Sequence, residues 1–377
     1  MRSFLGWIAA AALGVAGSAQ AATVPIGLAA MAQLVRNGVV ETPAVIYATV
    51  DRYRSLELDL YRPANAKAAL PIVMFVHGGA FSGDPFHQLA GVPYNPDSAA
   101  DNPATLWQLA RRGYVVANVT YRLSGEAQFP AQIQDVKQAV RFLRAHAGEI
   151  GGDPNRIIAW GASAGGYLVN LLGTSCGVAA FEPPKLLLGG PPIGTDRSIS
   201  DCVNAMADWY GPVQFATLDA MTAANHLPGP GPRSPHNAPD SPESDLMGCA
   251  LPVCSADLLR EANPLTYVSA QTPPFLIMHG LSDSAVPYEQ STMLAAALKA
   301  KGVPVKITLV PGAGHLFMGI SKGESDKLTE ETFEYMDRIS HPKNIVIAVD
   351  KDGNVTWNGQ LVKSNDELLK RMKALEN

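Results

Sequence analysis

Charge of one sign is what this sequence lacks: across 377 residues, 29 Lys and Arg stand against 34 Asp and Glu, a formal net charge of −5. With no basic surplus to neutralise a row of phosphates, the chain is not built for nucleic acid or an anionic membrane surface, and a small or neutral substrate is expected. Charged residues of either sign are few, 17% against 47% hydrophobic, which is the balance of a large packed core rather than of a disordered chain. No internal repeat is evident. Cysteine is scarce too, and Cys176, Cys202, Cys249 and Cys254 all lie in one stretch. No histidine sits beside them at the spacing a zinc site prefers, so no metal is expected and disulfides are the better reading. Three pairings are open. Cys176 with Cys202 and Cys249 with Cys254 is the pairing expected, because the first two flank neighbouring elements and the last two would close a short loop.

Arg2, an apolar run from Phe4 to Ala16 and the small-x-small triplet Ala19-Gln20-Ala21 have the order of a secretory signal, with the mature chain expected from Ala22. The run is shorter than the ~20 residues that span a bilayer. No later segment reads as transmembrane, so a periplasmic or secreted protein, free of the membrane once the signal is removed, is expected. Disulfides persist in such compartments.

From Pro71 onward, short β-branched runs alternate with amphipathic stretches, which predicts an α/β fold with a mostly parallel central sheet and helices on both faces. Strands are expected at Ile72 to His77, Tyr114 to Tyr121, Arg156 to Trp160, Val203 to Trp209, Phe275 to His279 and Val305 to Val310. Ile133, Val136, Val140 and Leu143 recur at helical spacing, and a further helix is expected from Tyr288 to Lys301, closed by Gly302. Phe181 to Ile199 and Leu227 to Pro242 are rich in Pro, Gly and Ser, which predicts surface loops or part of a lid within an insertion at about 213–272. A catalytic domain over 22–340 is followed by a small α+β appendage over 341–377. There Ile345 to Val349 and Val355 to Trp357 read as strands around an Asp350-to-Asn354 turn, and Ser364 to Glu367 as a capping box. A calcium loop does not fit that turn, because Gly353 comes fourth and the closing Glu is missing.

Gly161-Ala162-Ser163-Ala164-Gly165 follows an expected strand and precedes an apolar helix. That is the context in which G-x-S-x-G turns sharply and lifts a serine hydroxyl above a sheet. A serine nucleophile needs a base, and the base a carboxylate to orient it. Asp283 and His315 follow in that order, each just beyond an expected strand, at the rim where parallel sheets build their sites. Upstream, His77-Gly78-Gly79-Ala80-Phe81 offers the amides of Gly79 and Ala80, with that of Ala164, as an oxyanion hole. His77 reads as structural. Asp208 is the competing acid and His279 the competing base; Asp208 is followed by bulky Trp209-Tyr210, and His279 precedes the acid.

The set HGGAF, GASAGG, HGLSDSAVP and GAGH, with Tyr121-Arg122-Leu123 and Phe129 to Leu143, resembles the α/β-hydrolase serine esterases, in particular the bacterial acetyl-esterase and feruloyl/acetyl-xylan-esterase-like branch. The resemblance covers about Val45 to Met336, and Ala80 departs from it where lipase relatives carry a third glycine. It implies an exported enzyme that hydrolyses carboxylic esters through an acyl-enzyme, on acetyl or feruloyl esters of carbohydrate or other short-acyl esters, with no cofactor. A prolyl-oligopeptidase-like serine peptidase shares the residue order, but such enzymes carry a long propeller segment and an aromatic residue where Ala164 stands. A non-catalytic binding protein of the same fold normally loses one of the three residues. The tail from Ile345 is similar to the small periplasmic domain of ExbD/TolR-type proteins, which implies a protein partner for the appendage.

Overall fold

The computed structural model describes residues 27–28, 31–50, 53–83, 103–182, 197–226, 235–341, 347–350, 354–357 and 360–373. The expected signal, Arg2 to Ala21, and most of Phe181 to Ile199 lie outside the described residues. A nine-stranded sheet runs in the order β1-β2-β3-β5-β4-β6-β7-β8-β9. Its first strands, β1 (Leu34–Arg36), β2 (Val39–Ala48) and β3 (Leu56–Pro63), form an antiparallel meander that joins β5 (Val115–Val119) antiparallel. From there β4 (Leu70–Val76), β6 (Gly152–Ala162), β7 (Ala205–Trp209), β8 (Phe275–Gly280) and β9 (Val305–Val310) are parallel.

Successive residues of a strand face opposite sides, and β4 shows what that does here. Ile72, Met74 and Val76 join one core with Ile133, Val136, Val140 and Leu143, and with Leu168, Leu171, Leu294 and Leu298. Val73 and Phe75 join the other with Leu106, Leu109, Phe333 and Met336. The helices supplying these side chains are α1 (Pro103–Arg111), α2 (Ala131–Ala145), α4 (Ala164–Thr174), α8 (Glu289–Ala300) and α9 (Lys322–Ser340), while α3 (Ala147–Ile150), which follows α2 closely, adds Ala147 and Ile150 to the first core. Helices thus cover both faces of the sheet, which is why its central strands are continuously apolar. Among the described residues no helix is long and apolar enough to cross a membrane.

The insertion between β7 and β8 carries α5 (Leu218–Ala224), α6 (Pro242–Met247) and α7 (Ala256–Glu261). Pro242 was expected to lie in a loop, and it instead opens α6, with Ser241 accepting a hydrogen bond from the Ser244 amide. The proline rule forbids continuing a helix, not starting one. Disulfides join Cys176 to Cys202 and Cys249 to Cys254. The first is backed by a buried ion cluster: Lys137 on α2 pairs with Asp201 and donates to the Ser175 carbonyl at 2.6 Å, while Arg141 lies 3.8 Å from Asp201. Lys137→Ala would strip a wholly buried carboxylate of its main partner, so a loss of about 3–5 kcal/mol is expected. Urea unfolding measures it, and a loss below ~1 kcal/mol would show that Arg141 and the Gly177 amide suffice for Asp201.

The tail folds as a separate antiparallel sheet of β10 (Ile347–Val349), β11 (Val355–Trp357) and β12 (Gln360–Leu361), followed by α10 (Asn365–Lys373). Ser364 Oγ caps α10 through the Glu367 amide at 3.1 Å. The Glu367 carboxylate accepts from the Lys363 amide rather than from Ser364 itself.

Candidate active site

β6 ends by running into Ser163, whose φ of 55° and ψ of −121° are sparsely populated for a residue with a Cβ. The turn is held on both sides, since the Ser163 amide donates to the Trp209 carbonyl at 2.9 Å and its own carbonyl accepts from Tyr167 at 3.0 Å. Two residues on, a Cβ at Gly165 would stand 2.0 Å from the Val76 carbonyl oxygen, so only glycine lets α4 start this close to the end of β4. The outcome is a half-buried hydroxyl at the N-terminus of a helix, above the C-terminal end of the sheet.

Asp283 and His315 come to that hydroxyl from the ends of β8 and β9. Ser163 Oγ lies 2.9 Å from His315 Nε2, and His315 Nδ1 lies 2.7 Å from Asp283 Oδ2. A carboxylate accepts only, so Nδ1 carries the proton and Nε2 is left to accept from the serine. The Tyr210 ring packs edge-on against the imidazole at 4.9 Å. Asp283 is fully buried, and its Oδ1 accepts from the amides of Ala285 and Val286 at 2.9 and 2.8 Å. Burial alone would push its carboxyl up, but the nearby His315 and His279, through charge and hydrogen bonds, hold it well below the usual carboxylate range.

The HGGAF loop abuts the serine. A Cβ at Gly78 would meet the Ala162 carbonyl oxygen at 3.0 Å and Ser163 Cβ at 3.2 Å. Gly79 has a φ of 108° and Ala80 one of 53°, so the position where relatives were expected to need glycine is met by alanine in the left-handed region. The amides of Gly79, Ala80 and Ala164 donate no hydrogen bond among the described residues. His77 stacks on Tyr121 at 4.6 Å, its Nδ1 lies 2.6 Å from the Gly78 carbonyl, and its own carbonyl accepts from Tyr121 Oη at 3.2 Å. It braces the loop.

The two rival residues sit elsewhere. Asp208 is buried behind α4, accepting from Asn170 and from the Gly211 amide, each at 2.9 Å. His279 reaches Asp283, at 3.3 Å, instead of the serine. Sequence reading missed this contact and also the rings of Phe81, Tyr167 and Phe215, whose centroids lie 4.7 to 6.1 Å apart and tie the glycine loop and α4 to the insertion. Phe215 also lines a cavity of about 320 Å³ with Leu259, Arg260 and Asn263. None of Ser163, Asp283 and His315 lines that cavity. Among the described residues, the potential metal ligands that cluster, Cys176, Asp201 and Cys202, are already committed to a disulfide and to Lys137.

A profile of the BD-FAE family matches residues 58–298, which includes Ser163 and Asp283 and stops short of His315. The chain is 28% identical to "Esterase LipC" of Mycobacterium tuberculosis over 248 residues, 66% of this chain and 53% of LipC. It is 30% identical to "Esterase LipQ" of the same organism over 211 residues, 56% of this chain and 44% of LipQ. The chain thus spans about half the length of the curated relatives it matches. Among solved structures, a truncated carbohydrate esterase from gut microbiota superposes with a TM-score of 0.60 at 27% identity, covering 78% of this chain and 95% of that one.

Proposed function

The chain belongs to the BD-FAE family, and on that premise we propose that it hydrolyses carboxylic esters through an acyl-enzyme on Ser163. The observation that carries the reading is the unbroken line from Ser163 Oγ through His315 to buried Asp283, at 2.9 and 2.7 Å. Ser163 attacks the ester carbonyl while His315 Nε2 takes its proton. The amides of Gly79, Ala80 and Ala164, with the positive end of α4, receive the oxyanion as it forms. His315 then protonates the departing alkoxide, and a water deprotonated by the same nitrogen releases the acid. Asp283 holds the imidazole in the tautomer this requires and stabilises the imidazolium.

The substrates of this reading are acetyl or feruloyl esters of carbohydrate, or other short-acyl esters. Support comes from the carbohydrate esterase among the structural neighbours. A fluorophosphonate should label Ser163, and p-nitrophenyl esters of rising chain length, beside methyl ferulate and acetylated xylan, should be turned over best when the acyl group is short. A folded protein that takes no label, or that cleaves peptides and no esters, would overturn the proposal. Export is part of it, supported by the signal-like N-terminus and two disulfides.

The same reading makes residues 22–340 the catalytic domain and 341–377 an appendage that binds a protein partner, as the ExbD/TolR-like pattern suggests. The tail is too small to bury much surface of its own. A chain ending at Ser340 should therefore keep most of its activity on p-nitrophenyl acetate, whereas a folded but inactive truncation would mean that the tail helps to build the site.

A further inference from the structure

Two histidines converge on one oxygen. Asp283 Oδ2 lies 2.7 Å from His315 Nδ1 and 3.3 Å from His279 Nε2. His279 is wholly buried at the end of β8; its Nε2 lies 2.7 Å from the Val286 carbonyl oxygen, and its Nδ1 lies 2.7 Å from Ser291 Oγ on α8. A carbonyl only accepts, so Nε2 carries the proton and shares it between Val286 and Asp283. Nδ1 then accepts from the Ser291 hydroxyl, which locks that tautomer.

We propose that His279 is a positioning residue for the hydrolysis: its Nε2–H holds Asp283 Oδ2 in line with His315 and takes up part of the carboxylate's charge. The proposal rests on the roles given above to Ser163, Asp283 and His315. A carboxylate that spent all its charge on His315 would hold the imidazolium too firmly, and the proton would be returned to the leaving group less readily. A second donor on the same oxygen tempers that hold. Among the described residues, the titratable groups facing His279 are Asp283 beyond its own strand and Asp208 from β7, with His315 behind Asp283.

The pair His279→Asn and His279→Gln tests this. The glutamine amide extends as far as imidazole Nε2, whereas the asparagine amide stops near Nδ1 and cannot reach Asp283. With p-nitrophenyl acetate, His279→Asn should lower kcat about tenfold, the scale of one lost hydrogen bond to a charged group, and leave KM within about twofold. The acid limb of its pH-rate profile should move up by about half a pH unit, because His315 now holds its proton more tightly. His279→Gln should restore both, and Ser291→Ala should move the limb the same way by less. A folded His279→Asn with the wild-type limb, or a His279→Gln displaced as far as His279→Asn, overturns the proposal. If neither histidine variant folds, an unmoved limb in Ser291→Ala does so. A wild-type chain that takes no fluorophosphonate sinks the catalytic reading with it, while an active, labelled enzyme with unmoved limbs sinks this proposal alone.

Discussion

Ser163→Ala is expected to lower kcat on the order of 10⁶-fold, leaving only what the oxyanion amides and substrate binding supply. The fold should be untouched. Alanine keeps the Cβ and so the backbone strain already present at a φ of 55°, and the lost hydroxyl is half-buried, so no new polar group is sealed away. His315→Ala should cost about as much, and the double variant hardly more, because nucleophile and base act as one unit. Thermal melts beside kcat on p-nitrophenyl acetate check this; a Ser163→Ala enzyme within tenfold of wild type would place the nucleophile elsewhere.

Asp283→Asn is expected to cost about 10⁴ in kcat, or about 5 kcal/mol of transition-state stabilisation. The amides of Ala285 and Val286 both point at Oδ1, so the carboxamide must keep its oxygen there. Its NH₂ is then turned toward His315 Nδ1. Donor facing donor forces the imidazole into the other tautomer, whose Nε2–H cannot accept from Ser163. Asp208→Asn is the matched control and should leave kcat near normal. There the Gly211 amide fixes the oxygen, and the NH₂ meets Asn170, whose Oδ1 has no partner among the described residues and can turn to accept it. Burial pushes the Asp208 carboxyl up to about 6, against the Asn170 hydrogen bond, the nearby His279 and the Gly211 amide. Its unfolded value is near 3.9. The folded state therefore binds the extra proton between about pH 4 and 6, and wild-type stability should fall across that window by an amount of order 2–3 kcal/mol that the asparagine variant does not lose. Activity lost with Asp208→Asn and kept with Asp283→Asn would exchange the two roles.

The parallel half of the sheet was legible because strands covered on both faces are written as unbroken apolar runs, and the Val305 to Val310 strand was expected with the ends it has. The meander was not. β2 carries Pro43 and two register shifts against β3, and both strands alternate buried with half-buried or exposed positions, so no apolar run marks them. Nineteen-residue α9 was passed over although Ser321 and Glu324 write its capping box, because its first half is nearly all charged or polar. The order of Ser163, Asp283 and His315 could be read because glycine turns and strand ends carry local signatures. The grip of His279 on Asp283 could not, since it depends on the chain after β8 curling back so that the Val286 carbonyl meets an imidazole seven residues earlier.

The strand order has a consequence for how the molecule fails. Among the described residues β9 is the last strand in the sheet, bonded on one side to β8, and none of its residues is fully buried. Edge elements with few buried contacts open at lower free energy than the sheet that carries them. His315 follows this strand, 152 residues along the chain from Ser163, so the contact between them hangs on an edge element and is expected to loosen on mild heating before the central strands part. On the proposed reading, loss of activity is expected at a lower temperature than loss of the far-UV signal of the central strands, with Ser163 still at its turn and His315 swung away from it.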